Sequence, residues 1–146
     1  MAKVGTSLPN SRSRMRMMAL YAYANSKNLL VAGTGNKVED YGIGFFTKYG
    51  DGGVDLSPIA DLLKSEVYEL ASELKIVESI QNATPTDGLW GDDRTDEDQI
   101  GASYDELEWA LQFHDDVGDE TNLTPRQKDV LKIYRERHFK NKHKLQ

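Results

Sequence analysis

The sequence predicts an α/β chain, poor in strand and rich in helix, and three observations point there. The run Leu29-Leu30-Val31-Ala32 is short and apolar throughout, which suits a strand covered on both faces of a parallel sheet. It passes straight into Gly33-Thr34-Gly35-Asn36-Lys37-Val38-Glu39-Asp40, followed by Gly44-Phe45-Phe46-Thr47-Lys48-Tyr49-Gly50-Asp51-Gly52-Gly53-Val54-Asp55. A strand ending in a loop of glycine, hydroxyl, amide and charge is how an open α/β sheet builds a nucleotide site. Helical periodicity on both sides of this stretch then predicts the flanking layers.

In chain order, nothing before Pro9 reads as a strand-plus-helix opening. A helix is expected over 11–26, where Met15, Met18, Ala19 and Ala22 make one apolar stripe. Arg12, Arg14 and Arg16 fall in its first turns, where cations oppose the helix dipole. They read as surface arginines or as groups serving an anionic partner. After the strand and its loop, Ser57-Pro58 has the form of an N-cap with proline at the first helical position. Ile59, Leu62, Leu63, Val67, Leu70, Ala71 and Leu74 carry helical spacing onward to about Lys75. The polar, acidic stretch 81–101 reads as a loop, and one that long is functional or disordered. Ser103-Tyr104-Asp105-Glu106 is a capping box that opens a helix to about Phe113. Residues 115–122 form an acidic connection. Thr124-Pro125-Arg126-Gln127 is a second capping box, opening a last helix with Val130, Leu131, Ile133 and Tyr134 inward. From Arg135 to Gln146 the chain is a basic tail.

Composition narrows the function. At 146 residues the chain is one domain or part of one. It has no cysteine, so disulfides, thiolate metal sites and cysteine nucleophiles are excluded. No apolar run approaches the roughly 20 residues of a membrane span and no signal-peptide pattern opens the chain; a cytoplasmic setting fits. The net charge of −6 divides into a basic start, an acidic middle and a basic end. Two basic ends suit an anionic, phosphate-bearing ligand, while the acidic middle would repel a nucleic acid duplex. No phosphate-loop lysine motif, G-x-S-x-G or H-E-x-x-H occurs in the sequence.

Several residues have two readings. Glu39 is a ligand for Mg²⁺, which takes one or two carboxylates with phosphate oxygens, or a solvated loop glutamate. Lys48, between Phe46 and Tyr49, meets a phosphate or carboxylate, or steadies a turn. Asp55 caps a turn or accepts from a ribose hydroxyl. Lys64 by itself is an ordinary exposed lysine. Thr84-Pro85-Thr86-Asp87-Gly88-Leu89-Trp90 is a rigid turn that is structural or offers the Thr86 hydroxyl to phosphate. Asp92, Asp93, Asp96, Glu97 and Asp98 attract a cation, Mg²⁺ or ammonium, or are simply solvated.

At Gly33-Thr34, Glu39, the run Gly44 to Gly53, Pro85-Thr86, Asp96-Glu97 and Gly101-x-x-Tyr104-Asp105, the sequence resembles ammonia-dependent NAD synthetase, from about Arg12 onward. The resemblance implies an ATP pyrophosphatase with a Rossmann-like (adenine nucleotide α-hydrolase-like) parallel sheet, acting as a homodimer. It implies adenylation of deamido-NAD by Mg-ATP with release of pyrophosphate, then displacement of AMP by ammonia. It assigns Thr34, Lys64 and Thr86 to ATP and Glu39 to Mg²⁺. It assigns Arg14, Lys48, Asp55, His143 and Lys144 to deamido-NAD, and it names no catalytic acid or base. Binding, rather than proton transfer, is the expected work: positioning two large anions and stabilising charge at the α-phosphate.

The family's Ser-Gly-Gly-x-Asp-Ser pyrophosphate loop is missing from the sequence, and the chain carries one residue more between Glu39 and Phe45 than some relatives. The expectation is therefore an incomplete, helix-rich, C-terminal part of a synthetase domain over 1–146, with 82–102 as an acidic substrate loop and 135–146 as a basic tail. Alone, such a chain is expected not to adenylate deamido-NAD. Two other readings stay open: an inactive piece that only binds nucleotide or dimerises, and the synthetase domain of a glutamine-dependent enzyme.

Overall fold

The computed structural model describes residues 5–145; the expectations touching Met1–Val4 and Gln146 lie outside them. Helix α1 spans Ser7–Lys27, starting ahead of the predicted point and taking Pro9 into its first turn. It ends at Asn28 in the left-handed conformation. Its inward face differs from the predicted stripe. Met15 and Met18 are 68% and 67% exposed, whereas Pro9, Ser13 and Ala24 are buried. The cause is polar: the Ser13 hydroxyl donates to Asp51 Oδ1 at 2.7 Å and accepts from Asp51 N at 3.0 Å. That pair, not the apolar count, sets the rotation of the helix.

The predicted parallel sheet does not form among the described residues. What stands in its place is one isolated parallel bridge, Ala32 to Leu56, with Gly33 N bonded to Leu56 O and Asp55 N to Val31 O. A single pair gives no sheet face to cover, and Leu29 and Leu30 remain exposed. The helix expected to open at Ser57-Pro58 is also displaced. Residues 57–62 make successive tight turns, with Ala60 N bonded to Ser57 O and Leu62 N to Ile59 O, and the Leu62 carbonyl accepts from Lys37 N at 2.8 Å. Helix α2 opens only at Lys64 and runs Lys64–Glu73, with Leu63 N donating to Glu66 Oε2.

Helix α3 is Glu78–Gln81. The stretch 81–101, read as loop, contains helix α4, Asp96–Ile100. Thr95 and Asp98 cap it reciprocally, each side chain bonding the other's backbone N at 3.0 Å. Helices α5 (Tyr104–Asp115) and α6 (Pro125–Asn141) form with the two predicted capping boxes in place. The basic tail is ordered through Leu145: it completes α6 and adds a 3₁₀ turn, Lys142–Leu145.

The core lies where α5 and α6 meet a π-helix, Lys37–Ile43, that the sequence reading left as loop. Leu107, Ala110, Val38 and Ile43 are fully buried there, with Leu111, Val130, Leu131 and Tyr134. Each such large side chain contributes about 1.5–3 kcal/mol. The π-helix starts at buried Asn36, whose Oδ1 accepts from Val38 N and Glu39 N. It stops at Gly44, φ +60°, where a Cβ would come within 2.5 Å of Asn141 Cβ. Only glycine fits both that φ and that contact. No helix among the described residues is long and apolar enough to cross a membrane.

Candidate functional site

A cavity of about 940 Å³ opens beside this core, between α1, the glycine loop, the first turn of α2, the 85–90 turn and the end of α6. Thr34, Glu39, Lys64, Thr86 and Lys144 all line it. The three residues that the resemblance ties to ATP and the one it ties to Mg²⁺ thus share one hollow. Arg14, Lys48, Asp55 and His143 do not line it.

Glu39 projects from the first turn of the π-helix and is mostly buried. Lys64 Nζ pairs with its Oε1 at 3.0 Å and lies 4.7 Å from the centre of the Tyr104 ring. The Tyr104 hydroxyl donates to the same oxygen at 2.5 Å and stands 3.5 Å from Asp96 Oδ2. Asp96 is 8% exposed, and its buried Oδ1 has no hydrogen-bond partner among the described residues. Burial first, then the charges of Glu39 and Asp87, push its carboxyl up to about 6. Burial and the neighbouring Glu39 likewise raise the Tyr104 hydroxyl, which stays protonated as a donor. Asp40, buried beside Glu39 and Asp51, is pushed up to about 6 as well, by burial first.

Mg²⁺ takes oxygen ligands, using a few carboxylates with phosphate oxygens and water. Glu39 supplies that chemistry. No group of three or more His, Cys, Asp or Glu side chains able to hold a metal occurs among the described residues. The donor set therefore suits a cation that arrives with its phosphates, not one caged by protein.

Of the deamido-NAD candidates, Arg14, Lys48 and His143 form a cluster outside the cavity. Arg14 Nε donates to Lys48 O at 3.2 Å, and Lys48 Nζ to His143 O at 2.6 Å. Lys144 Nζ reaches back to Gly44 O at 2.7 Å and Phe46 O at 2.6 Å, and burial lowers its pKa. His138 Nδ1 and Asn141 Nδ2 bond Gly42 O and Ile43 O. Part of the basic end of the chain is thus tied to the carbonyls of residues 42–46, while Lys140, Lys142 and His143 are exposed. Asp55 stands apart: its Oδ2 accepts from Val31 N at 2.8 Å, and it also hydrogen-bonds the Tyr21 hydroxyl. Here it acts as a structural clasp on the Ala32–Leu56 bridge.

Thr86 is exposed at the cavity rim; its Oγ1 accepts from Gly88 N and donates to Arg94 O, both at 3.3 Å. The misplaced arginines of α1 are explained by this turn. Arg12 donates to Leu89 O, and Arg16 donates to Asp87 O and Gly88 O. They hold protein carbonyls rather than an outside anion. Sequence reasoning gave no site role to Tyr104 or Ser13. Tyr104 stood out as the first residue of a capped helix and as part of a family motif, and Asp96 as one of five acids that could attract a cation.

In fold the chain is similar to solved synthetases of nicotinamide nucleotides. An NMN synthetase from Francisella tularensis superposes with a TM-score of 0.79 at 36% identity, over 94% of this chain and 53% of that one. An NH3-dependent NAD synthetase from Campylobacter jejuni gives 0.68 at 31%, over 100% and 56%. The sequence matches the NAD synthase family over residues 2–146, and the chain belongs to that family. Curated relatives described as NH(3)-dependent NAD(+) synthetase include those of Picrophilus torridus and Thermoplasma acidophilum. The first is 56% identical over 70% of this chain and 40% of the relative, the second 45% over 88% and 52%. The chain spans about half the length of the curated relatives it matches.

Proposed function

We propose that the chain serves the ATP-dependent amidation of deamido-NAD to NAD by ammonia, and that it forms one wall of the site for the two nucleotides. The observation that carries this reading is the shared hollow. Thr34, Glu39, Lys64 and Thr86 come from four separate segments and line one cavity, in a chain of the NAD synthase family.

In this reading Thr34 and Thr86 offer hydroxyls to ATP, and Lys64 meets its phosphates as a point charge. Glu39 holds Mg²⁺, which when bound neutralises charge building on the phosphates. Lys64 pairs with Glu39, so its ammonium holds that carboxylate in place until nucleotide arrives. It then turns toward phosphate. Arg14, Lys48, Asp55, His143 and Lys144 bind deamido-NAD along the outer side of the glycine loop, with the Lys48 and Lys144 ammonium groups exchanging backbone carbonyls for ligand oxygens.

The Ala32–Leu56 bridge is read as the edge of a Rossmann-like parallel sheet. A cytoplasmic setting and a homodimer complete the reading; the homodimer is supported by the exposed apolar side of α1, where Met15, Met18 and Tyr23 face outward. Calorimetry with Mg-ATP and with deamido-NAD tests this. Saturable binding of both is expected; failure to bind either nucleotide contradicts the reading.

A further inference from the structure

We propose that Tyr104 is a positioning residue for Glu39: its hydroxyl engages one carboxylate oxygen from the protein side and leaves the other free for a cation that enters with phosphate. This rests on the reading of Glu39 as the cation ligand given above.

The placement of the tyrosine is built by the fold. Tyr104 opens α5, and the capping pair of Ser103 and Glu106 fixes that turn. Its own backbone N donates to Glu97 Oε1 at 2.9 Å, joining the first turn of α5 to α4. The ring is 7% exposed and cannot swing into solvent without opening this junction. A hydroxyl carries one proton. At 2.5 Å from Glu39 Oε1 against 3.5 Å from Asp96 Oδ2, that proton belongs to Glu39. Lys64 Nζ gives the same oxygen a second donor at 3.0 Å. No hydrogen bond reaches Oε2 among the described residues. The two oxygens of Glu39 are therefore unequal: one is held by protein and one is available.

The two donors differ in permanence. Lys64 is a flexible ammonium that can leave for a phosphate, whereas Tyr104 is packed and has no other use for its proton than Asp96. When Lys64 departs, the tyrosine alone keeps the carboxylate aimed. Outer partners of metal-ligating side chains typically change metal affinity by about 10–100-fold when removed.

The test uses the whole chain and compares binding of Mn²⁺·ATP with binding of metal-free ATP by calorimetry. In the unmutated chain the metal complex binds more tightly. Tyr104→Phe, which removes one oxygen and keeps the ring, is expected to weaken Mn²⁺·ATP about tenfold or more and to leave metal-free ATP within twofold. Equal loss of both, tracking a fall in melting temperature, means a structural role only and overturns the proposal. Unchanged Mn²⁺·ATP binding overturns it too. If the unmutated chain shows no preference for the metal complex, the reading of Glu39 fails and this proposal falls with it. Should the phenylalanine chain not fold, a crystal structure of the unmutated chain with Mn²⁺ and ATP decides. Tyr104 on one oxygen of Glu39 and the metal on the other supports the proposal; a tyrosine beyond hydrogen-bond reach of Glu39 overturns it.

Discussion

Two regions of this chain treat their apolar residues in opposite ways. Where the π-helix meets α5 and α6, Val38, Ile43, Leu107 and Ala110 are wholly buried. Along α1 and from the end of α2 into α3, Met15, Met18, Tyr23, Leu74, Val77 and Ile80 are 60–68% exposed. Both regions have helical periodicity and comparable side chains. The difference lies in what crosses them. The first is closed by two capped helices that fold back on a π-helix, and its carbonyls are tied down by His138, Asn141 and Lys144. The second is held by the Ala32–Leu56 bridge and by scattered polar contacts, such as Ser13 to Asp51 and the arginines to the 87–89 turn. Stability should therefore reside in the first, and surface chemistry in the second.

The sharpest way to break that contrast is Leu107→Ala. It empties a fully buried position and should cost about 2–5 kcal/mol in urea denaturation; a cost below 1 kcal/mol would show that the core is elsewhere. Gly44→Ala comes next. It strains a residue at φ +60° and drives a Cβ against Asn141, with an expected loss of about 1–3 kcal/mol and weaker binding of Mg-ATP, since the same turn ends the helix that carries Glu39.

A smaller effect comes from pH. The carboxyl of Asp96 is raised by burial from 3.8 to about 6. Between these values the folded chain holds a proton that the unfolded chain has lost, so stability rises as pH falls through about 6 toward 4 and is lost again above 6. Melting temperatures at pH 5 and pH 7 should differ in that sense, and Asp96→Asn should shrink the difference; an unaltered difference removes Asp96 as its source. Smallest of all, Met18→Ser on the exposed face of α1 should change stability by no more than about 0.5 kcal/mol, with chemical denaturation as the check. A larger loss would mean that this face is covered in solution.

The same contrast explains what could be read from the sequence. Helices α5 and α6 were legible because their starts are local: Ser103-x-x-Glu106 and Thr124-Pro-x-Gln127 complete their own hydrogen bonds within four residues. The π-helix was not, because its glycine and charges look like loop and its buried residues, Val38 and Ile43, are covered by the distant helices α5 and α6. The facing side of α1 was misread because Ser13 and Asp51, 38 residues apart, decide it. The helix start at Ser57-Pro58 gives way to tight turns, Ala60 N on Ser57 O and Leu62 N on Ile59 O, whose Leu62 carbonyl is bonded by distant Lys37 N. For the site, the residue types at Thr34, Glu39, Lys64 and Thr86 were legible through motifs, and their convergence on one cavity is a property of the fold. Asp55 shows the limit from the other side, since its carboxylate serves Val31 N in the free chain.

The most direct measurement of the central claim is a backbone and lysine NMR titration with Mg-ATP. The account predicts saturable shifts at Thr34, Glu39, Thr86 and the Lys64 ammonium, with the buried residues of α5 and α6 nearly still. Shifts confined to other surfaces, or none at saturating nucleotide, would contradict it.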